Sequence, residues 1–205
     1  MKTRVEIKTQ AKDLIKANYG TALLPYLIYA IIGSAISSMT FGLGAILMLP
    51  LFVGMCMVYI LLWKDEKPQI TTMFNVAFQE NFVRKLGGML WMYLFTFLWS
   101  LLFMIPGIVK TYSYAMTPYI LAKYPNVDAK SALKLSMKIM NGRKMDLFVV
   151  DLSFIGWYLL GVITFGIALI FYVTPYMQVT RAGCFDEYVA DALAKGTITE
   201  ADLGL

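Results

Sequence analysis

The strongest constraint on this sequence is a series of long apolar stretches, each about as long as a lipid bilayer is thick. They occupy residues 21–39, 43–63, 86–105, 145–163 and 166–184. A helix needs about 20 predominantly apolar residues to cross the hydrocarbon core, and these stretches meet that length. Of the 205 residues, 59% are hydrophobic and 15% are charged. A soluble core of this size would leave much of that apolar surface in water. We therefore expect an all-α, polytopic membrane helical bundle.

A sixth segment, residues 107–122, is shorter and more polar, and its sequence leaves open whether it spans fully or is re-entrant. A full crossing is favoured, because without it the basic segments before and after residues 107–122 would fall on opposite faces of the membrane. We count about six transmembrane helices, arranged as three hairpins in a single membrane domain. The hairpin units cover about 3–63, 70–124 and 128–190 within the domain 1–190, and residues 191–205 form a short cytoplasmic tail.

The basic residues predict the orientation. If the N-terminus is cytoplasmic, all 18 Lys and Arg residues except Lys110 fall on or near the cytoplasmic side. This bias is what the positive-inside rule describes, so both termini should be cytoplasmic. The outer turns at 38–44 and 164–166 are short and carry no charge. The first apolar stretch is too long for the core of a cleaved signal peptide and is typical of a signal anchor.

A cytoplasmic amphipathic helix is predicted before each hairpin. Their apolar faces carry Ile7, Ala11, Leu14, Ile15 and Tyr19 in the first, Ile70, Met73, Phe74, Ala77, Phe78 and Phe82 in the second, and Leu133, Met137 and Met140 in the third, which Asp128 should cap. The lysines predicted to contact lipid headgroups are Lys8, Lys12, Lys16, Lys130, Lys134 and Lys138. Such helices either lie in the headgroup plane, attracting anionic lipid, or pack under the bundle with solvated charges. We favour the interfacial position, because each helix directly adjoins a crossing.

A weak internal repeat accompanies the three hairpins. Thr40-Phe41-Gly42 precedes Pro50, and Thr164-Phe165-Gly166 precedes Pro175, while Thr96-Phe97 precedes Pro106. We interpret these as three hairpins of the same topology, each with a turn followed by a proline.

Several segments also resemble a known family. They are IPGIVK at 105–110, YSYAMTPYIL at 112–121, SALKLS at 131–136, MNGRK at 140–144, DLSFIGW at 151–157, and Thr164-Phe165-Gly166 with Pro175-Tyr176. The sequence here is similar to a bacterial family of integral membrane proteins of unknown function, the domain-of-unknown-function family 975. The match is strong over the second and third hairpins and extends to the first only in general pattern. CFDEY at 184–188 departs from it, since the family more often has a Phe-Tyr pair there. The resemblance implies the fold and a location in a bacterial cytoplasmic membrane, and it implies no mechanism.

Catalytic and cofactor motifs are absent from the sequence. There is no His, and Cys56 and Cys184 lie far apart in or beside apolar stretches, where they are expected to be small buried residues. Neither phosphate-binding, nucleophile-elbow nor metalloprotease motifs occur. The acidic pairs Asp128 with Asp146, and Asp186 with Glu187, lie at helix ends or in a tail, where capping explains them better than catalysis does. We expect no enzyme activity, cofactor, metal site or nucleic-acid partner.

The fourth predicted crossing carries unusual polar content for its depth. The residues concerned are Lys110, Tyr112, Ser113, Tyr114, Thr117 and Tyr119. They line either a polar cavity or an interfacial aromatic belt on a short, tilted helix. We favour the belt.

An intramembrane ion pair is predicted between Asp151 and Arg181. Asp151 lies six residues from Met145, roughly 9 Å into the membrane at 1.5 Å per residue. Arg181 lies 15 residues after Gly166, roughly 22 Å down a core about 30 Å thick, so the two depths agree. The alternative is that Arg181 extends to the headgroups while Asp151 bonds Ser153, Trp157 or water.

Two functions remain open. The protein is either a non-enzymatic membrane accessory that organises lipid or a partner, or a small-molecule transporter or efflux component that uses the polar fourth helix. We favour the first, with anionic headgroups on the cytoplasmic side as partners. A protein partner and a homo-oligomer both stay open.

Overall fold

The computed structural model describes residues 2–41, 43–79 and 81–205, which form helices and include no strand. The all-α class is therefore confirmed. The helices are α1 (Arg4–Ala17), α2 (Tyr19–Met39), α3 (Met48–Trp63), α4 (Ile70–Phe74), α5 (Phe82–Leu102), α6 (Met104–Tyr114), α7 (Thr117–Lys123), α8 (Ala129–Ile139), α9 (Lys144–Leu152), α10 (Ile155–Ile163) and α11 (Thr174–Ala194). Short 3₁₀ segments cover Leu43–Leu47 and Ala201–Leu203, and π-helical turns cover Asn75–Gln79 and Leu169–Val173.

Helix α3 lies at the centre of the bundle. It packs against α2, α5, α7 and α11. Its sequence is apolar on every side, and a helix of that kind is stable only when it is buried all round. In an 18-residue window of Gly44–Trp63, 61% of the residues are buried, compared with 17% in the corresponding windows of α2 and α5. The peripheral helices therefore present broad apolar faces outward.

Among the described residues, four helical stretches are long and apolar enough to cross a membrane: Tyr19–Met39, Gly44–Trp63, Phe82–Leu102 and Lys144–Ile163. They coincide with four of the five long apolar stretches of the sequence. Residues 107–122 divide into α6 and α7, and residues 166–184 form the π turn and the first half of α11. The arrangement of six crossings in three hairpins stays a prediction.

The helices predicted before the hairpins are present. Thr3 and Glu6 form a reciprocal cap at the start of α1, which buries Ile7, Ala11 and Ile15. Asp128 caps α8 by accepting hydrogen bonds from the backbone N–H groups of Lys130 and Ser131, as predicted. The predicted second helix begins as α4 and continues as a π turn, with Met73 and Ala77 buried against α3.

The turns predicted for the first and third hairpins share one geometry. Thr40 Oγ1 donates to the Ile36 carbonyl at 2.7 Å and accepts from the Gly44 N–H at 2.7 Å. Thr164 Oγ1 donates to the Leu160 carbonyl at 2.9 Å and accepts from the Ala168 N–H at 3.1 Å. The phenylalanine after each threonine is left-handed, with φ of 50° at Phe41 and 51° at Phe165. Gly42, in the first motif, lies outside the described residues.

The segment predicted as the second hairpin does not share this turn. Thr96 and Phe97 lie inside α5, where Thr96 Oγ1 donates to the Met92 carbonyl at 2.8 Å as in any helix. The chain turns instead at Phe103, which is extended between α5 and α6. Gly107 has no side chain where it faces Ser100, so α5 and α6 can approach closely. The Thr-Phe turn predicted for this hairpin is therefore wrong, because apolar residues on both sides extend the helix past it.

The C-terminal residues pack onto the bundle. Helix α11 runs to Ala194, so the predicted boundary at residue 190 falls inside a helix. Beyond it, Leu203 is buried, Asn126 Nδ2 donates to the Gly204 carbonyl at 2.9 Å, and Asp202 pairs with Lys138 at 3.3 Å. The C-terminal residues thus contact both the segment that directly precedes α8 and the exposed face of α8.

Candidate functional site

A charged pair lies where α9 meets α11. Arg181 Nη2 donates to Asp151 Oδ2 at 2.8 Å, and Arg181 Nε donates to Asp151 Oδ1 at 3.2 Å. A parallel two-bond arrangement of this kind is the strongest geometry available to Arg and a carboxylate. Tyr112 completes the group by donating its hydroxyl to Asp151 Oδ2 at 3.2 Å. The structure thus places in contact the two charges that the sequence assigned to matching depths.

Irregular helices surround this pair. Asp151 precedes a break at Ser153 and Phe154, which separates α9 from α10, and the π turn Leu169–Val173 lies on the other arm of the hairpin. Ser153 Oγ donates to the Val150 carbonyl, so it serves the helix end and not the Asp151 carboxylate. Helix breaks and π turns are common at functional sites because they free backbone groups and redirect side chains.

A cavity of about 370 Å³ adjoins the pair. Asp151 and Arg181 reach it from one side, and Tyr112, Tyr114 and Tyr119 line it from α6 and α7. The Tyr119 hydroxyl lies 3.5 Å from Gln178 Oε1. The cavity therefore combines one neutralised charge pair with several hydroxyls, a surface that can hydrogen-bond a small polar ligand.

The other predicted cavity residues lie elsewhere. Ser113 and Thr117 are buried between helices: the Ser113 carbonyl accepts from Ser136 Oγ at 2.9 Å, and Thr117 Oγ1 has no hydrogen-bond partner in the described part of the chain. Lys110 lines a separate groove beside α8, with its Nζ 3.9 Å from Met137 Sδ. Adjacent residues on a helix point in different directions, so a run of polar residues cannot all face one cavity.

The lysines predicted to contact headgroups divide into two groups. Lys12, Lys16, Lys130 and Lys134 are exposed. Lys8 instead donates to Ser153 Oγ at 2.8 Å and lies 4.3 Å from the ring centroid of Phe154. This burial lowers the pKa of Lys8. Lys8 and Lys138 therefore hold the protein together, Lys8 through α1 and Lys138 through the tail.

The acidic residues considered as catalytic pairs have separate structural partners. Asp128 caps α8, and Asp146 pairs with Arg143 at 3.1 Å. Asp186 pairs with Lys123 at 3.0 Å, and Glu187 lies 3.7 Å from Lys2. The geometry thus ties each carboxylate to a helix end or an ion pair.

The N-terminal end of α9 and the C-terminal end of α11 are joined by a charge cluster. Asp191 accepts from Arg143 Nη2 at 2.6 Å and from Lys195 Nζ at 2.8 Å. These hydrogen bonds lower the pKa of Asp191, and the same carboxylate raises the pKa of Arg143. The cluster links two helices through one carboxylate.

Sequence reasoning missed the roles of Arg84 and Lys85, which were counted only as cytoplasmic charges. Arg84 donates to the carbonyls of Leu121, Tyr124 and Val127, satisfying the end of α7, and Lys85 is buried and donates to the Val76 carbonyl. The only sequence signal was a pair of cations at the start of an apolar helix, opposite the position expected from the helix dipole.

Both cysteines are free and fully buried, as the sequence predicted. Cys56 lies in the central helix α3, and Cys184 lies in α11. Within the described ranges, no cluster of three or more His, Cys, Asp or Glu side chains is arranged to hold a metal ion.

The fold and the site together define an all-helical bundle with several helices apolar enough to cross a membrane and with a charged pair beside a cavity. The model of the family described as "Protein of unknown function (DUF975)" matches residues 102–189 of the chain. The resemblance seen in the sequence is thereby confirmed. The matched region includes Asp151, Arg181 and the cavity residues of α6 and α7. Comparisons with curated proteins and with solved structures find no match.

Proposed function

We propose that this protein is a multi-pass integral membrane protein of the bacterial cytoplasmic membrane with six crossings and both termini in the cytoplasm. Support comes from large apolar side chains left exposed along the outer helices. They include Ile31, Leu94, Phe97, Leu98, Leu101, Tyr158, Leu159 and Val162. A monomeric protein in water rarely exposes a contiguous apolar surface of this extent, whereas lipid is its natural solvent.

The contacts of Lys110 favour this orientation. It is the one basic residue that the sequence leaves near the outer side, yet its Nζ reaches Met137 on α8. Because α8 belongs to the cytoplasmic side in the proposed topology, the Lys110 ammonium group joins the other positive charges there. Its long side chain makes that reach feasible.

The proposed role is non-enzymatic: the protein holds anionic lipid or a partner protein at the cytoplasmic face of the membrane. One observation carries this role. Helices α1 and α8 bury their apolar faces against the bundle while Lys12, Lys16, Lys130 and Lys134 stay exposed. Positive charge beside an apolar bundle attracts anionic headgroups.

Purification in mild detergent followed by native mass spectrometry and proteomics tests this role. We expect anionic phospholipid, a protein partner, or both to be retained through purification. Retention of neither, from a protein that stays folded, would contradict the proposal.

A second candidate function, transport of a small polar molecule, is favoured by the cavity beside Asp151 and Arg181. The cavity is lined by Tyr114 and Ala115 at the break between α6 and α7, and substrate sites of transporters often lie at helix breaks of this kind. Proteoliposome flux assays with a library of small polar solutes test this candidate. A protein that is folded, correctly oriented and unable to move any of them would argue against it.

A further inference from the structure

Three lysines converge on one groove between α5, α6 and α8. The groove has a volume of about 430 Å³ and receives Lys110 from α6 and Lys130 and Lys134 from α8. Lys130 and Lys134 are four residues apart and therefore point from the same side of their helix. Two helices thus bring three ammonium groups to one depression.

The opposite wall of the groove is aromatic. Trp91, Phe95 and Trp99 line it at four-residue spacing along α5. Lys110 Nζ lies 4.8 Å from the Trp99 ring centroid, and Lys130 Nζ lies 5.4 Å from that of Trp91. The aromatic faces hold the lysine side chains in place by cation–π attraction without neutralising their charge.

In the part of the chain that the structure describes, no carboxylate lines this groove. Among the described residues, ion pairs engage other basic residues, including Lys138, which follows on α8 and pairs with Asp202. Lys134 and Lys138 lie on the same exposed face of α8, yet only Lys138 pairs with a carboxylate among the described residues. An anion from outside the chain would relieve the repulsion among these three ammonium groups.

The surroundings indicate what that anion carries with it. The groove opens along α5, where Phe95 and its neighbours Leu94 and Leu98 are exposed. A ligand that matches both features has a negative headgroup for the lysines and a hydrocarbon part for the aromatic wall. A free anion would leave the wall unused, and a neutral lipid would leave the charges unpaired.

We propose that this groove is a binding site for an anionic phospholipid, with the phosphate among Lys110, Lys130 and Lys134 and an acyl chain along α5. The proposal rests on the membrane role given above and assigns that role to one site. It also gives Lys110 a reason to stand in an apolar helix, where an unpaired cation is costly.

The two groove tryptophans provide the test, in a background of Trp63→Phe and Trp157→Phe that removes the other two tryptophans of the chain. Purified protein is reconstituted into nanodiscs of phosphatidylcholine that contain a small fraction of phosphatidylglycerol, with bromine atoms on the acyl chains of one lipid or the other. Bromine quenches tryptophan only at close range, so we expect brominated phosphatidylglycerol to quench more than brominated phosphatidylcholine at equal mole fraction. Lys110→Gln should lower this preference about fivefold, the factor that corresponds to about 1 kcal/mol for one lysine near an anionic surface.

Matched variants separate the site from general surface charge. The groove triple variant Lys110→Gln, Lys130→Gln, Lys134→Gln should abolish the preference. A control triple variant, Arg4→Gln, Lys64→Gln, Lys67→Gln, removes the same charge from exposed positions outside the groove and should keep it. Lys110→Arg retains the charge and should also keep it, which guards against a loss caused only by misfolding.

The outcomes distinguish this proposal from the broader one. If both triple variants lose the preference equally, or the groove triple keeps it, the groove is not the site although a general lipid role stands. If inorganic phosphate at millimolar concentration removes the preference in the wild type, the groove binds free phosphate and the phospholipid assignment fails. If the wild type has no preference and retains no anionic lipid through purification, the lipid role itself fails with it.

Discussion

The contact between Asp151 and Arg181 gives the sharpest prediction for individual residues. Asp151→Arg and Arg181→Asp should each destabilise the protein, because each leaves two like charges facing one another in a poorly solvated place. We expect a loss of about 3 kcal/mol, the lower end for a broken buried pair, because the Arg181 side chain is still 35% exposed. Thermal unfolding in detergent measures it.

The double variant is the control for this prediction. Asp151→Arg combined with Arg181→Asp restores opposite charges and should recover part of the lost stability. Tyr112→Phe removes one hydrogen bond to Asp151 and keeps the ring that packs against Phe148, so its cost should be smaller, about 1.5 kcal/mol. A double variant no more stable than either single one, or an Asp151→Asn protein as stable as the wild type, would refute a stabilising pair.

The sequence was sufficient to bring Asp151 and Arg181 together, because depth along two joined helices is counted in residues. It was not sufficient for Lys110, Ser113 and Thr117. The direction in which each of these side chains points depends on how α6 and α7 are rotated against α5 and α8, and that rotation is decided by packing of side chains distant in sequence. Glycine contacts such as Gly107 with Ser100 contribute to it and leave no periodic signal.

At the scale of helices, close packing of α3 against α4 depends on Gly54. A Cβ built on Gly54 would lie 2.0 Å from the Met73 carbonyl oxygen. Since that atom belongs to the backbone, the two helices must separate to accommodate it. Gly54→Ala should therefore lower stability by about 1–3 kcal/mol, as overpacking does.

Gly87 offers the matched comparison for Gly54. A Cβ on Gly87 would meet its nearest atom, the Ala129 Cβ, at 4.0 Å, which is ordinary contact. Gly87→Ala should be neutral or stabilising by up to about 1 kcal/mol, because alanine favours the helix. Both variants are compared by thermal unfolding in the same detergent, and equal effects would show that contact with Met73 does not limit the packing.

The ends of α9 and α11 give a prediction that depends on pH. The pKa of Asp191 is lowered in the folded protein by Lys195 and Arg143. A carboxyl group with a lowered folded pKa stabilises the protein above its unfolded pKa of about 3.9. That contribution is lost as pH falls through the folded value. Asp191→Asn should therefore lower the melting temperature at pH 7, with a difference that shrinks as the pH falls below about 4.

Melting curves of both proteins across a pH series from 7 to 3 measure the Asp191 effect. Asp13→Asn serves as control, because Asp13 is an exposed carboxylate on α1 without an ion pair in the described structure. A difference between wild type and Asp191→Asn that stays constant down to pH 3 would contradict the assignment to an ionised Asp191.

Among the helices, apolar length and spacing predicted α2, α3, α5 and the α9–α10 stretch well. The turn after α5 was misplaced, because Thr96 and Phe97 are as compatible with a helix as with a turn. The distinction lies in the next residue, since Gly42 and Gly166 come after the two Thr-Phe turns, whereas Leu98 comes after Thr96-Phe97. Glycine after a residue with positive φ lets the chain reverse, and its absence was the signal for a continuing helix.

For the whole molecule, the proposed topology separates the charged end of the bundle from the apolar hairpin tips. Phe41 and Phe165, at those tips, are 98% and 97% exposed, and each adopts a left-handed conformation that is unfavourable for phenylalanine. In the proposed topology, both exposed phenylalanines would lie at the outer face of the cytoplasmic membrane, where aromatic side chains are common at the interface between lipid and water. The topology therefore predicts which positions an impermeant reagent reaches from each side.

Single cysteines test that topology. The background is Cys56→Ala with Cys184→Ala, so that only the introduced thiol can react. Both native thiols are fully buried, and the wild type should therefore stay unlabelled. In sealed cells, cysteines at Ser38 and Phe165 should react with the reagent added outside. Phe165 is preferred to Gly166, whose φ of 87° would strain any side chain.

Cysteines at Lys16 and Lys67, which are exposed in the structure, should react only after the membrane is opened, because the positive charges around them are held on the cytoplasmic side. The reverse labelling pattern would invert the orientation, and labelling of all four positions from one side in sealed cells would show that the hairpins enter the membrane without crossing it.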